Sequence, residues 1–164
     1  MQGYYGNTTA TEEVLREGWL YTGDIAFRDE EQYVWILDRK KDMIITGGVN
    51  VYPKEIEDVL ATHPQIADIA VYGIPHPDWG ETVVAQVVLR TKETLTLENL
   101  QEYCQDKLAD YKIPRVLKMV EGLPRNASGK ILKHVLRAQE GSKLTQQAAV
   151  QTIPGVLTMT KRFL

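Results

Sequence analysis

Two runs of β-branched residues, separated by a short loop, constrain the fold of this chain more than any other feature. Residues 66–74 and 82–89 are rich in Val, Ile and Thr, which favour extended strands. The segment 75–81 between them, Pro-His-Pro-Asp-Trp-Gly-Glu, is too interrupted by Pro and Gly to continue a strand or form a helix. The sequence therefore predicts two strands joined by an irregular loop.

Helices and a third strand are expected around these two strands. Pro53 suits the first turn of a helix, and apolar residues follow it at helical spacing. A second amphipathic helix is predicted across residues 97–108, a third strand at 116–120 and a third helix from about 131. This pattern indicates an α+β fold in which a small three-stranded sheet is flanked by helices.

The first forty residues have a different pattern. Strands at 25–27 and 33–37, joined by an acidic turn, predict a β-hairpin, and Thr11 is a candidate N-cap of a short preceding helix. The charged residues after the hairpin favour a domain boundary near Lys41.

We therefore divide the chain into three parts: residues 1–40, 41–140 and 141–164. The last part loses the periodic pattern, being rich in Ser, Gln and Thr, and the sequence leaves open whether this tail is ordered or disordered.

Composition narrows the classes of function. The chain is 43% hydrophobic and 25% charged, which is enough apolar material for a core. A net charge of -3 gives no general attraction to nucleic acid or anionic lipid. Cys104 is the only cysteine, which excludes an intrachain disulfide. With no secretory signal or membrane-spanning run, we expect a soluble cytoplasmic protein.

The segment 123–131 places Lys130 on a Gly/Ser loop just before a predicted helix, where its charge suits a phosphate or a carboxylate. It is not a P-loop. Six residues separate Gly122 from Gly129, where a P-loop has four, and Ile131 follows the lysine in place of Ser or Thr. The alternative is an ordinary turn at the start of a helix.

Three further positions have residue types that suit a nucleotide. Asp24 follows a Thr-Gly turn, where its carboxylate either accepts bonds from a ribose diol or bonds its own backbone. Arg39 suits phosphate or ribose oxygens, or forms a surface ion pair. Gly47-Gly48 allows close approach of a ligand, or simply forms a hairpin turn.

Four phrases in this order resemble the C-terminal part of the adenylate-forming enzymes, which include acyl-CoA synthetases, peptide-synthetase adenylation domains and luciferases. The resemblance runs from about residue 1 to 138, and its phrases are residues 21–24, 38–42, 47–57 and 124–130. The Gly-Gly-x-Asn-x-x-Pro-x-Glu-Ile-Glu phrase is similar to the acyl- or aryl-CoA ligase branch.

This resemblance implies roles for the matching residues. Asp24 corresponds to the carboxylate that holds the ATP ribose hydroxyls, and Arg39 to the arginine that contacts ribose or phosphate. Lys41 lies at the hinge about which the C-terminal domain rotates between two half-reactions. Lys130 corresponds to the catalytic lysine that bridges the acid and the ATP α-phosphate.

The resemblance also implies a CoA site. Gly47 and Gly48 match the loop that lines the pantetheine channel. Trp79 and Tyr111 match aromatic positions that contact CoA in some aryl-CoA ligases, although each is otherwise a candidate packing residue. No metal ligands are predicted in this chain, and Mg²⁺ would act through the rest of the enzyme.

The expected function is that of the C-terminal portion of an ATP-dependent acyl-CoA synthetase, which converts a carboxylic acid, ATP and CoA into acyl-CoA, AMP and pyrophosphate. The ATP phosphate loop, adenine-binding segment and acyl pocket of the family are not in this sequence. Residues 1–40 then form a hairpin remnant of the large N-terminal adenylation domain, which is the expected partner. We expect the isolated chain to be inactive.

The sequence also allows two other functions. The chain could be a non-catalytic module that binds CoA or a protein, or part of another adenylate-forming enzyme such as a peptide synthetase. The glycine phrase disfavours the peptide synthetase. Apolar residues within 19–37 also predict self-association of the chain on its own.

Overall fold

The computed structural model describes residues 1–91 and 94–140. These residues divide into two compact units between Leu123 and Pro124. The predicted tail, 141–164, lies outside the described residues, and the boundary near Lys41 stays a prediction.

One short helix and two hairpins make up the start of the first unit. Their bounds are α1 (Thr8–Val14), β1 (Leu15–Arg16), β2 (Trp19–Leu20), β3 (Asp24–Arg28) and β4 (Val34–Arg39). The predicted hairpin is confirmed, because β3 and β4 pair antiparallel with Asp24 opposite Arg39.

The predicted N-cap of α1 is wrong. Asn7, not Thr11, caps the helix, since its side-chain oxygen accepts the Ala10 N–H at 2.9 Å. Thr11 lies within the helix, and its hydroxyl donates to the Asn7 carbonyl. Asn is among the best N-cap residues, so the helix begins four residues earlier than a threonine cap would allow.

The remaining elements of the first unit form one sheet with two helices. They are β5 (Ile44–Thr46), β6 (Val49–Val51), α2 (Pro53–Ala61), β7 (Ile66–His76), β8 (Gly80–Leu89), α3 (Leu97–Gln105) and β9 (Val116–Met119). Strand β7 pairs antiparallel with one edge of β8 over its whole length. The other edge of β8 pairs with β5 at Gly80 and, in parallel, with β9.

The sheet therefore has five strands in the described residues, and the predicted three-stranded sheet is too small. The extra pair is the β5–β6 hairpin, which joins the sheet through Thr46 and Gly80. Gly80 adopts a φ of +76°, which a side chain would disfavour, so the junction depends on glycine. A contact between residues so far apart in sequence leaves no local periodic pattern.

The loop between β7 and β8 is also shorter than predicted, because the two strands extend to His76 and from Gly80. Pro75 pairs opposite Glu81 within the ladder. Proline is tolerated there because β7 is the outer strand of the sheet, where its missing N–H faces no second neighbour.

Helices α2 and α3 contribute to a single apolar core with one face of the sheet. Cys104 of α3 is buried in this core, and desolvation raises the pKa of its thiol. The fully buried core side chains include Ile44, Val51, Ile56, Leu60, Val71, Ala85, Val87, Leu100 and Cys104.

The second unit begins with a small hairpin followed by a helix. Arg125 pairs antiparallel with Ile131 as an isolated bridge, and residues 133–140 are helical (α4). Lys130 therefore lies in the hairpin and not at the start of the helix. Within the described ranges, no helix is both long enough and apolar enough to cross a bilayer.

Candidate functional site

The β3–β4 hairpin brings two predicted ATP-binding residues together. Arg39 Nε and Asp24 Oδ1 form an ion pair at 2.7 Å, and the aspartate is the more buried partner, at 23% exposure against 45%. The preceding turn supports the aspartate, because the Thr22 hydroxyl accepts its N–H at 3.2 Å. Paired carboxylate and guanidinium groups can serve a ribose hydroxyl and a phosphate side by side.

An open cavity of about 520 Å³ lies beside this ion pair. It is lined by Thr22, Gly23, Arg39, Lys40 and Lys41. Three of these five residues are basic, and the Arg39 guanidinium among them is paired with Asp24.

The predicted hinge residue lies in a short 3-10 turn, Lys40–Asp42, directly after β4. The Lys40 N–H donates to the Gly23 carbonyl at 2.8 Å, which attaches this turn to the one before β3. Lys41 itself is exposed within the turn.

Gly47 and Gly48 form the two-residue turn between β5 and β6, with φ values of +56° and +79°. Both positions fit a type I′ hairpin turn, which needs positive φ twice. The Gly47 N–H donates to the Trp79 carbonyl at 2.9 Å. The structure thus brings the glycine turn and one predicted aromatic residue into direct contact.

The Trp79 ring makes close contacts with two other side chains. The His76 ring lies nearly parallel to it, with centroids 4.9 Å apart, and the Arg115 guanidinium carbon is 3.4 Å from the indole centroid. Sequence reasoning singled out neither His76 nor Arg115. Arg115 immediately precedes β9, and only the folded chain brings it to Trp79, in the loop before β8.

Tyr111 lies in the turn Asp110–Lys112, which contacts β6. The neighbouring Lys112 is held by Glu55 of α2, with Nζ and Oε1 2.6 Å apart. The four residues predicted to contact CoA therefore all lie in or near the β5–β6 hairpin: Gly47, Gly48, Trp79 and Tyr111.

In the second unit, Lys130 is exposed on the hairpin. Its backbone N–H donates to the side-chain oxygen of Asn126 at 2.8 Å, and its carbonyl accepts the Asn126 N–H at 2.9 Å. Sequence reasoning missed Asn126, although Asn at the first and Gly at the fourth position of a turn was an available signal.

The described parts of the chain, 1–91 and 94–140, contain no group of three or more His, Cys, Asp or Glu side chains placed to hold a metal ion. The acidic side chains described above are engaged with protein groups, as Asp24 is with Arg39. The side chains in these described ranges therefore do not fit a directly bound Mg²⁺ ion.

Known proteins identify the family. The AMP-binding enzyme C-terminal domain matches residues 55–130. Over 135 residues the chain is 44% identical to the 2-succinylbenzoate--CoA ligase of Bacillus cereus (strain AH820), a match that covers 82% of this chain and 28% of the relative. Residues 55–130 are an AMP-binding enzyme C-terminal domain.

Solved structures agree with this assignment of the AMP-binding C-terminal domain. The o-succinylbenzoate CoA synthetase of Bacillus subtilis in complex with the acyl-adenylate intermediate OSB-AMP is 40% identical, with a TM-score of 0.78 over 84% of this chain and 28% of that one. The same enzyme with ATP and magnesium ion gives 0.74 at 40% identity, over 85% and 28%. A fatty acyl CoA synthetase from Mycobacterium tuberculosis is 44% identical, with a TM-score of 0.64 over 87% and 28%.

The resemblance to adenylate-forming enzymes is therefore confirmed. The chain corresponds to the C-terminal part of acyl-CoA ligases, which are acid–thiol ligases, and it spans about 28% of the length of the relatives it matches. The individual roles predicted for its residues stay predictions.

Proposed function

We propose that this chain is the C-terminal portion of an ATP-dependent acyl-CoA ligase, which forms an acyl-adenylate from a carboxylic acid and then transfers the acyl group to CoA. The observation that carries the proposal is the Asp24–Arg39 pair beside a cavity whose lining includes Lys40 and Lys41. In this reading the carboxylate accepts the ribose hydroxyls and the guanidinium binds a ribose or phosphate oxygen.

Lys130 supplies the catalytic cation for adenylation. The carboxylate of the acid and the α-phosphate are both anions, so their approach is unfavourable without a positive charge between them. A fixed ammonium offsets this repulsion and stabilises the charge that develops on the phosphate oxygens. Mg²⁺ bound with ATP would neutralise phosphate charge, and it would be held outside the described residues.

The second half-reaction uses the β5–β6 hairpin of the first unit. Rotation at Lys41 carries Lys130 away and brings the β5–β6 hairpin to the acyl-adenylate. Gly47 and Gly48 have no side chains to obstruct the pantetheine arm. Trp79 and Tyr111 supply aromatic surface for CoA, and Arg115 adds a positive charge on the indole face.

The rest of such a ligase is the required partner, since it would hold the acyl pocket and most of the ATP site. We propose that this partner, working in the cytoplasm, covers the exposed apolar residues of β2–β4. The two acids named for the relatives, succinylbenzoate and a fatty acid, differ greatly, so the acid used with this chain has to be found by assay.

The test is to fuse this chain to the N-terminal part of the B. cereus ligase and to assay the two half-reactions over a panel of acids. Lys130→Ala should lower acyl-adenylate formation by about 100-fold or more. Conversion of supplied acyl-adenylate to the thioester should be nearly unchanged, because the lysine is not used in that step. Lys54→Ala, which removes another exposed lysine, is the matched control and should leave adenylation intact.

Equal losses in both half-reactions for Lys130→Ala would contradict its assignment. A fusion that binds CoA but forms no adenylate with any acid, while the unmodified B. cereus ligase does, would favour a non-catalytic module.

A further inference from the structure

We propose that Asn126 is a positioning residue for Lys130: its side-chain amide oxygen and backbone N–H hold both backbone polar groups of the lysine and so aim the ammonium. The inference rests on the proposed catalytic role of Lys130, and it adds a residue to which no role has been assigned.

The contacts between the two residues are direct. The Lys130 N–H donates to Asn126 Oδ1 at 2.8 Å, and the Asn126 N–H donates to the Lys130 carbonyl at 2.9 Å. The two bonds have normal lengths and hold the two peptide units that flank the Lys130 Cα, so they restrict the position of that Cα.

The same oxygen also organises the residues between them. Asn126 Oδ1 accepts the N–H of Ser128 at 3.1 Å and its hydroxyl at 2.8 Å. The Asn126 carbonyl accepts the Gly129 N–H at 2.9 Å, which closes the turn. Gly129 adopts a φ of +81°, which returns the chain toward Asn126.

The base of the hairpin is closed by two further contacts. Arg125 pairs with Ile131 across the hairpin, and the Leu132 N–H donates to the Pro124 carbonyl at 2.8 Å. The Arg125 guanidinium also donates to the Gly129 carbonyl. These contacts define the backbone at the base of the exposed loop, and the hydrogen bonds to Asn126 define it between residues 126 and 130.

A defined backbone matters because the lysine side chain is long and exposed. Its ammonium can be placed accurately only if the Cα from which it extends is fixed. A displacement of about 1 Å at a reacting centre can cost on the order of 100-fold in rate. Asn suits this role, because its short side chain readily bonds backbone N–H groups a few residues further on.

The first experiment uses the chain itself and does not depend on the proposed function. Asn126→Ala should speed hydrogen exchange of the Lys130 amide by about 10-fold or more, since the acceptor is removed. Asn126→Ser keeps a neutral oxygen acceptor and should retain part of the protection. Ser128→Ala is the matched control, because it removes one bond to Asn126 but neither bond to Lys130. Unchanged exchange in Asn126→Ala would overturn the inference at the level of structure.

The second experiment measures both half-reactions in the fusion with the B. cereus ligase. Asn126→Ala should lower kcat for adenylation by about 10- to 100-fold, with KM for ATP little changed and the thioester step intact. Asn126→Ser should recover part of the rate, and Ser128→Ala should lose less than Asn126→Ala. A merely structural role would lower both half-reactions together.

The outcomes separate this inference from the proposed function. If Lys130→Ala abolishes adenylation but Asn126→Ala does not lower it, the positioning role is wrong and the catalytic lysine stands. If Lys130→Ala has no effect on adenylation, the proposed function falls and the positioning role falls with it.

Discussion

His63 is a buried titratable residue at the junction between α2 and β7. Only 7% of the residue is exposed. Its Nδ1 accepts the Gln65 N–H at 3.2 Å, and its ring packs edge-on against Tyr103, with centroids 4.6 Å apart. Burial, and secondarily the positive charge of Lys107, lower the pKa of His63 from its ordinary value of 6.5.

Stability should therefore fall at mildly acidic pH. The unfolded chain takes up the His63 proton first, so stability is fully present above the ordinary pKa and is lost as pH falls toward the lowered folded value. His63→Asn keeps an acceptor for the Gln65 N–H but does not titrate. Its urea midpoint should change less than that of the wild type between about pH 8 and pH 5.

Exposed His134, replaced in the same way, is the control and should leave the wild-type pH dependence in place. A His63→Asn variant with the same loss of stability on acidification as the wild type would show that other groups are responsible.

At this scale, residue type and order nominate candidate side chains, but they do not reveal the contacts that hold those side chains in place. Asp24 and Arg39 were chosen because their charges suit a nucleotide, and the hairpin register then placed them opposite each other. Asn126 was missed because its role depends on backbone atoms of a turn whose geometry was not predicted. Arg115 was missed because its contact with Trp79 is set by tertiary structure.

Among the elements, α2 has an unusual N-terminal cap. Its N-cap residue, Tyr52, makes no side-chain capping bond. Asp38, near the end of β4, caps the helix instead, because its Oδ2 accepts the Lys54 N–H at 2.9 Å. Its Oδ1 accepts the Arg39 N–H at 2.7 Å. One carboxylate thus connects the hairpin before the proposed hinge to the helix after it.

Asp38→Ala should destabilise the first unit by about 1 kcal/mol, the usual cost of losing an N-cap oxygen, and should speed exchange of the Lys54 amide. Urea unfolding and hydrogen exchange would measure the two effects. Asp58→Ala is the control, because it removes a carboxylate paired with the Lys54 ammonium, an exposed pair worth about 0.5 kcal/mol or less. Equal effects of the two variants would argue against a cap.

The elements also show where local pattern is sufficient. Pro53 and the apolar residues after it predicted α2, and the β-branched runs predicted β7 and β8, because each depends on residues close in sequence. The cap from Asp38 and the attachment of β5 to β8 join residues far apart. Such contacts have no periodic signature, which is why the sheet was predicted with too few strands.

In the whole molecule, the hairpins before the hinge expose much apolar surface. Trp19, Trp35 and Ile36 are 73%, 55% and 68% exposed. A two-stranded hairpin with apolar residues open to water is marginal unless it packs on something else.

We therefore expect the chain alone to self-associate at concentrations of about 100 µM, as measured by sedimentation velocity. Ile36→Lys should shift it toward monomer, because a charge on the exposed strand opposes edge pairing and apolar contact. Glu31→Gln changes the net charge by the same amount on the hairpin turn and should have little effect. A wild-type chain that stays monomeric at this concentration would contradict the expectation.

The middle of β7 contains Gly73, whose missing side chain makes room for a neighbour. A Cβ at this position would lie 2.7 Å from Glu81 Oε1 and 3.0 Å from Ile44 Cγ2. The space lets Glu81 lie across β7, where its Oε2 accepts the Ile45 N–H at 2.7 Å. A single methyl group would push this carboxylate away from β5. The location of the Gly47-Gly48 turn thus depends partly on the absence of a side chain at Gly73, more than twenty residues later in the chain.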